Sequence, residues 1–312
     1  MPRVLKQLLL STTIFIYSTL SFAQSISIIY NPESSYQTRF LNALSTYLSS
    51  SKTIQINTIN STELSSSLLQ NNLKTTIVNL DSNLIGEIIT LNFQSPTFHA
   101  MTTLASARQH APCLPSCLNS LELHRFFVLD QPAARQLGLI QLISPTFKDI
   151  AVIVTNYSAP HLNELKQVAT KKKLIINGHL TDATNLRFRI DDISKKSDII
   201  LAIADTDIYN SSSLSQVLLT SYRHKTPVIG FSKGFIKAGA MAGSVSDLQQ
   251  LVQHLGEHLL LANTLAWLKS GNLIYPKYFD IISNRRVSKS LNIHFPSDEQ
   301  LKQQLSAHEG LQ

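Results

Sequence analysis

Short apolar runs alternate with amphipathic helical patterns along this chain, which predicts an α/β protein with two Rossmann-like lobes and parallel sheets. Three strand–helix units follow one another before residue 90, and a second series begins after residues 126–131. The apolar runs 149–154 and 199–204 are short and rich in β-branched residues, which is typical of strands buried on both faces. A chain of 312 residues is long enough for two such cores.

The first half is predicted to begin with a strand over residues 25–30, ended by Asn31 and Pro32. Ser34 or Ser35 caps a helix, because apolar residues recur at helical spacing after them. The elements predicted next are a strand over 54–59, a helix from 62, a strand over 75–80 and a helix over 85–89. The pattern then weakens, and Pro96 predicts a helix over 97–107.

The second half repeats this alternation. Its predicted helices cover 131–142, 159–172, 186–193, 213–223, 247–261 and a segment from 297, and its predicted strands cover 126–129, 149–154, 174–176, 199–204, 227–230 and 278–282. These elements are too many for one lobe. We therefore expect a first lobe of residues 24–127, completed by a segment of about 275–312, and a second lobe of residues 128–274.

Residues 1–23 have the pattern of a signal peptide, which predicts export to the periplasm. Arg3 and Lys6 precede the apolar run 8–20, and Ala23 ends a small-x-Ala cleavage site. An uncleaved, membrane-associated anchor is the alternative for this segment. The net charge is +7, but the basic residues are scattered without interleaved aromatic residues, so no nucleic-acid partner is expected. Basic residues are adjacent to one another in the pair Arg285-Arg286 and in the lysine run 171–173.

Polar residues follow the predicted strands of both halves, where the ligands of open α/β sheets bind. Asp205 or Asp207 is able to pair with a ligand ammonium, Lys233 with a carboxylate, and Tyr157 or Phe231 to stack on a ring. For each residue the alternative is an ordinary turn or helix-capping role. The candidate ligand-binding residues are Asn31, Asp81, Ser82, Asn83, Gln94 and Ser95 in the first lobe, and Asn156, Tyr157, Asp205, Asp207, Phe231, Ser232 and Lys233 in the second.

Other chemistry has weaker support in the sequence. Cys113 and Cys117 are the only cysteines, and in an oxidising compartment they are expected to form a disulfide. His99, His110 and His124 flank them, but their spacing matches no zinc signature, so no metal or other cofactor is expected. His254 and His258 are predicted to be surface residues of a helix. Walker, GxGxxG and GxSxG motifs are absent, so we expect no catalytic residues and no enzyme activity.

Two stretches resemble a family of exported substrate-binding proteins of ABC transporters. The first runs from Leu129-Asp130-Gln131-Pro132 through Arg135 to residues 150–152. The second is residues 227–232 with 237–240, and residues 281–296 fit the end of the family pattern. The resemblance is good over residues 126–296 and loose before them, where the usual Gly-rich phrase after the third strand is missing.

The resemblance implies a periplasmic binding protein type I-like fold. Two lobes would be joined by three crossovers and close by a hinge on a small ligand, polar or aromatic and amino-acid-like, for delivery to an ABC permease. The alternative is a sensory or structural module of the same fold that lacks a transporter and binds a membrane protein partner.

Overall fold

Two parallel-stranded sheets form the two lobes of the protein in a computed structural model that describes residues 24–50, 54–64, 75–117, 121–262 and 271–310. The predicted signal peptide and most of the predicted helix after residue 62 lie outside the described residues. Within those ranges, no helix has the length and the apolar character that crossing a bilayer requires.

The elements of the first half closely follow the predicted alternation. In chain order they are β1 (Gln24–Tyr30), α1 (Ser35–Ser49), β2 (Ile54–Asn60), β3 (Thr76–Asn79), α2 (Ile85–Thr90), β4 (Thr97–Thr102), α3 (Leu104–His110) and β5 (His124–Val128). Ser34 caps α1 as expected, because its side chain accepts a hydrogen bond from the Gln37 N–H. Short 3₁₀ turns follow β2 at Ser61–Glu63 and β3 at Ser82–Leu84.

The second half contains the remaining helices and strands. In chain order they are α4 (Ala133–Ile143), β6 (Asp149–Val154), α5 (His161–Lys172), β7 (Ile175–Leu180), α6 (Ala183–Lys195), β8 (Ile199–Leu201), α7 (Leu214–Arg223), β9 (Val228–Ile229), α8 (Lys233–Ala238), β10 (Ala242–Val245), α9 (Leu248–Leu260), β11 (Leu273–Ile274), β12 (Asp280–Ser283), α10 (Arg285–Ser290) and α11 (Asp298–His308).

The strand order is the same in both lobes, as far as the described residues show. The first sheet has the order β11-β5-β4-β3-β1-β2, and all its neighbouring strands are parallel. The second has the order β12-β10-β9-β8-β6-β7 and is parallel except for β12, which pairs antiparallel with β10. The predicted α/β fold with two parallel-stranded lobes is confirmed.

The prediction that residues 275–312 complete the first lobe is wrong, because residues 280–308 belong to the second lobe. Strand β12 pairs with β10, and Leu301 and Leu305 of α11 are buried in the core beneath α4. The first lobe is completed instead by α9 and β11. The apolar face of α9 packs in the core that contains α1, and β11 pairs with β5.

The predicted helix over residues 97–107 is also wrong. Residues Thr97–Thr102 form β4, a central strand between β3 and β5, and α3 starts only at Leu104. Five of the six side chains in β4 are buried, so tertiary packing on both faces outweighs the helix-start signal of Pro96. The strand ends in an irregular register near Met101, whose φ is 57°.

Close backbone packing at Gly243 joins two neighbouring strands of the second sheet. A Cβ atom at this position would lie 2.1 Å from the carbonyl oxygen of Gly230. This close approach lies within the sheet, where β9 and β10 pair. The nearest crossing between the lobes follows β10 and leads into α9.

In the part of the chain that the structure describes, three crossovers connect the lobes, as the family resemblance implies, at residues 129–132, 246–247 and 275–279. They lie side by side, because the Gln131 amide donates to Ser246 Oγ (3.0 Å) and the Ser246 hydroxyl donates to the Tyr278 carbonyl (2.6 Å). Each crossover therefore holds its neighbour, and a rotation of one lobe against the other would take place at these residues.

Arg135 ties the crossovers to the last helix. Its buried guanidinium donates to Gln131 Oε1 (2.6 Å) and to the Pro276 carbonyl (2.9 Å), and its Nε donates to Glu309 Oε1 (2.8 Å). It also lies over the ring of Phe279, 3.9 Å from the centroid. A buried cation is stable only with such complete compensation.

Replacing Arg135 with Met should lower the free energy of unfolding by about 3 kcal/mol, because Glu309 and two carbonyls lose their buried donor. Urea denaturation of the ligand-free protein measures this. Lys195→Met is the control, since Lys195 forms an exposed ion pair with Asp191 and its loss should leave the free energy of unfolding nearly unchanged. Equal losses in the two variants would contradict a special role for Arg135.

Candidate functional site

A cavity of ≈590 Å³ lies at the carboxyl ends of β6, β7 and β8. Strand β6 has β7 on one side and β8 on the other, so the connections leaving β6 and β8 diverge and open a crevice between them. The described residues that line the cavity are Thr155, Asn156, Tyr157, Leu180, Thr181, Asp182, Thr184, Thr206, Asp207 and Asn210.

Three of the predicted ligand-binding residues meet in this cavity. Asn156 and Tyr157 follow β6, Asp207 follows β8, and all three are exposed. No ion pair to Asp207 is formed within the described part of the chain. Tyr157 is 48% exposed, so its side chain is accessible to another molecule. Together these side chains offer a carboxylate, an amide and an aromatic surface.

Asp205 positions the loops around the cavity and does not line it. Its carboxylate accepts from the Thr155 hydroxyl (2.8 Å), the Ser158 hydroxyl and the Asp207 N–H (3.1 Å), and only 3% of the residue is exposed. These bonds join the loop after β6 to the loop after β8. The prediction that Asp205 faces a ligand is therefore corrected, because its acceptor positions are used within the protein.

Asp182 gives the cavity a second carboxylate. It caps α6, and its side chain accepts from the backbone N–H and the amide of Asn185, both at 2.8 Å. The hydrogen bond from the Asn185 backbone holds the pKa of Asp182 below its usual value, so the group is ionised at neutral pH. No lysine or arginine is among the described lining residues, and the cavity is therefore acidic.

The three predicted residues after β9 lie outside the cavity. Phe231 packs against Tyr209 and Phe235, with ring centroids 5.9 Å and 5.0 Å away. Ser232 caps α8 by accepting from the Phe235 N–H (3.1 Å). Lys233 is exposed and lines a different cavity. We expected these residues to bind a ligand beside Asp205 and Asp207. This expectation is corrected, because the short loop after β9 leads directly into α8, which Ser232 caps.

In the first lobe, Asn31, Asp81, Ser82 and Asn83 lie at the carboxyl ends of β1 and β3, as predicted. Their hydrogen bonds are local. Asn31 Oδ1 accepts from the Glu33 N–H (3.0 Å), and the buried Asp81 accepts from the Asn83 N–H (3.1 Å). The first sheet thus presents its polar residues at the expected edge, mainly as turn and capping groups.

Gln94 and Ser95 lie at the opposite edge of the first sheet. They precede β4, so they stand at its amino end, whereas ligand sites of parallel sheets lie at the carboxyl ends. Their candidate role is corrected for this reason. The residues at the carboxyl end of β4 are Thr102 and Thr103, and Thr103 caps α3.

A cluster of ionisable residues, which we did not predict, connects the lobes beside the crossovers. The Tyr275 hydroxyl, just after β11, donates to Glu164 of α5 (2.7 Å). Asp130, in the first crossover, accepts from the Leu104 N–H (2.6 Å). Burial raises the pKa of Asp130 to about 6, although that hydrogen bond and the nearby His161 and Arg108 favour its ionised form. Only the tertiary fold brings these residues together, so spacing along the chain does not reveal the cluster.

Four of the histidines form two pairs, one in the first sheet and one on α9. His99 and His124 stack in the first lobe with ring centroids 5.2 Å apart, and burial lowers the pKa of both, to about 4 for His124. His254, expected at the surface, is buried against Phe127, because α9 covers the first sheet. In the described ranges, no three His, Cys, Asp or Glu side chains are placed to hold a metal ion. Cys113 and Cys117 form a disulfide.

Residues 130–266 match a family of ABC transporter substrate binding proteins, and the resemblance noted in the sequence is confirmed there. No curated protein sequence matches the chain. A conserved domain protein from Vibrio cholerae has a similar structure: the TM-score is 0.57, the identity is 16%, and 90% of this chain and 97% of that chain are covered.

Two further solved structures share the fold. An ABC domain from Streptococcus pneumonia, solved in complex with L-Trp, is 15% identical, with 90% of this chain and 97% of that chain covered and a TM-score of 0.55. The ligand-free, open structure of a substrate binding protein with adhesive properties from Clostridium difficile is 18% identical, with coverages of 88% and 97% and a TM-score of 0.61. These likenesses show the fold, which is periplasmic binding protein type I-like as expected.

Replacing Asp205 with Ala should lower the free energy of unfolding by about 2–4 kcal/mol, because Thr155, Ser158 and the Asp207 N–H lose a shared buried acceptor. The neighbouring Asp207→Ala variant is the control and should cost less than about 1 kcal/mol, since Asp207 is exposed. Denaturant unfolding of both proteins measures the difference. A neutral Asp205 variant would show that the loops hold without this carboxylate.

Asp130 should make the protein less stable as the pH rises. Its folded pKa of about 6 lies above the ordinary value of 3.8, so the native state binds the proton more tightly, and stability falls between about pH 4 and pH 6. The full effect is on the order of 2–3 kcal/mol. Asp130→Asn should gain about this much relative to wild type between pH 4 and pH 7.5 in denaturant titrations.

The exposed Asp192→Asn variant is the control for this comparison and should follow the wild-type pH dependence. If the Asp130→Asn profile also runs parallel to wild type, the buried carboxyl does not titrate in this range.

Proposed function

Because residues 130–266 match the ABC transporter substrate binding proteins, we propose that this chain is an exported solute-binding protein. In this proposal it captures a small polar or aromatic ligand, amino-acid-like in its chemistry, between its two lobes and delivers it to an ABC permease. The predicted signal peptide supports export to the periplasm, where such a protein would meet its ligand.

The cavity at the ends of β6, β7 and β8 is the observation that carries the proposal. Its volume of ≈590 Å³ falls in the range of small-molecule sites. It lies at the position where open α/β sheets bind their ligands, and Asp205 fixes the loops that form its walls. A ligand entering it would meet preformed loops on the second lobe.

The residues of the cavity favour a ligand with a cationic or hydroxyl-bearing group. Asp207 is available to an ammonium group, and the exposed ring of Tyr157 offers a stacking surface. An aromatic amino acid carries both an ammonium group for Asp207 and a ring for Tyr157. The related structure from Streptococcus pneumonia holds L-Trp, which makes aromatic amino acids the first ligands to examine for this chain.

The crossovers supply the mechanical part of the proposed function. They lie side by side, so the lobes are able to rotate about them without breaking either sheet. The bond between Tyr275 and Glu164 crosses from one lobe to the other next to this axis. Ligand contacts made by both lobes would then stabilise the closed arrangement.

A second candidate function is a sensory or structural module that binds a membrane protein partner without a transporter. One observation favours it: the family match begins only at residue 130, after strands β1 to β5 of the first lobe, and the predicted polar residues of that lobe make local bonds. Such a module would keep the fold but need no tight small-molecule binding.

A thermal-shift series with the amino acids and small organic acids tests the main proposal. At a ligand concentration of roughly 100 times Kd, binding adds about 2.7 kcal/mol of stability, which raises Tm by several degrees. Tyr157→Ala should lose most of that rise. Tyr222→Ala is the matched control, because Tyr222 is similarly exposed (46% against 48%) but lies on α7 outside the cavity, and it should keep the full rise.

Two results would count against the proposal. If an active ligand shifts Tyr157→Ala as much as wild type, the ligand binds elsewhere than in this cavity. If no compound shifts the wild-type protein, the solute-binding function fails and the sensory or structural module becomes the better account.

A further inference from the structure

Four basic side chains surround a second cavity of the second lobe, away from the site described above. The cavity has a volume of ≈510 Å³ and lies between α8 and the segment where β12 leads into α10. Its described lining residues are Lys233, Ile236, Lys237, Ile282, Ser283, Asn284, Arg285 and Arg286, and none of them is acidic. We call it the basic cavity.

Three of the four cations have no carboxylate partner in the described part of the chain. Lys233, Lys237 and Arg286 are exposed and form neither an ion pair nor a side-chain hydrogen bond there. Two exposed lysines of the same lobe, Lys195 and Lys196, pair with aspartates one turn away. At the basic cavity, by contrast, three unpaired cations line one cavity that has no acidic residue among its described lining.

The fourth cation is held in a fixed position. Arg285 donates to the carbonyls of Phe295 (3.1 Å) and Pro296 (2.7 Å), and it pairs with Asp298 (2.8 Å). Its guanidinium also lies over the ring of Phe295, 4.4 Å from the centroid. Asn284 anchors the same segment, because its amide donates to the Ile236 carbonyl (3.2 Å). One wall of the cavity is thus rigid, while the unpaired cations stand around it.

The basic cavity opens at a different edge of the sheet from the candidate ligand site. Strand β12 runs antiparallel to β10, and Ser283 pairs with Ala242 at the amino end of β10. The cavity with Tyr157 and Asp207 lies at the carboxyl ends of the parallel strands. An anion bound at one edge would therefore leave the other cavity open.

We propose that the basic cavity is a binding site for a phosphate group. A phosphate monoester carries a charge of about −1.5 to −2 at pH 7 and has three acceptor oxygens, which suits several convergent cations better than a single carboxylate would. The planar guanidinium of Arg286 is able to bind two phosphate oxygens at once, and the two lysines supply flexible point charges. The group could belong to a soluble phosphate compound or to the headgroup of an anionic lipid.

A two-arm binding experiment on the full chain separates these sources. One arm titrates pyrophosphate by calorimetry at about 0.15 M salt, and the other measures sedimentation with phosphatidylcholine vesicles with and without phosphatidylglycerol. Saturable binding in the first arm identifies a soluble phosphate ligand. Binding only to the phosphatidylglycerol vesicles identifies a lipid headgroup. Both results support the site if the variants below behave as expected.

The double variant Lys237→Gln/Arg286→Gln should weaken this binding at least tenfold, because it removes two of the three unpaired cations. Lys195→Gln/Lys196→Gln removes the same charge from the same lobe and should bind within twofold of wild type. All four residues are exposed, so both variants should fold, which their thermal unfolding checks. Absence of binding in both arms, or equal losses in the two variants, would overturn the proposal.

Discussion

The hydrogen bonds and the ion pair of one buried cation, Arg135, hold the region between the lobes together. The guanidinium of Arg135 needs acceptors on every side, and the crossovers supply two of them at Gln131 and Pro276. Glu309 supplies the carboxylate from beyond the last helix. Segments that lie far apart in the chain are thereby held at one point, and their alignment determines where the two sheets are able to move against each other.

Much of the fold could be predicted because its signals are local. Strand β6 has the predicted bounds, since a run of apolar β-branched residues buried on both faces leaves little ambiguity. The capping serines and aspartates before α1, α9 and α11 likewise mark where those helices begin. Strand β4 shows where local signals fail. Its segment forms a strand because β3 and β5 lie on either side of it in the sheet, and the sequence of the segment alone does not reveal these neighbours.

The assignment of the last segments to lobes could not be predicted for a similar reason. An amphipathic helix such as α9 shows that it covers a core, but its pattern does not show which of two cores. The residues of the candidate site likewise fall into those that the sequence predicts and those that it does not. Asn156, Tyr157 and Asp207 were predictable from their positions after strands, whereas only the hydrogen bonds show that Asp205 supports the loops and that Lys233 belongs to another surface.

The placement of α9 has a consequence for synthesis on the ribosome. Leu251, Val252 and Leu255 cover the first-lobe core beside Phe40 and Leu44, yet they emerge only after almost the whole second sheet has been made. Until then, the half that is translated first exposes the part of its apolar surface that α9 covers in the folded protein. The lobe that starts first is therefore finished late, and the nascent chain presents a binding surface for chaperones throughout this interval.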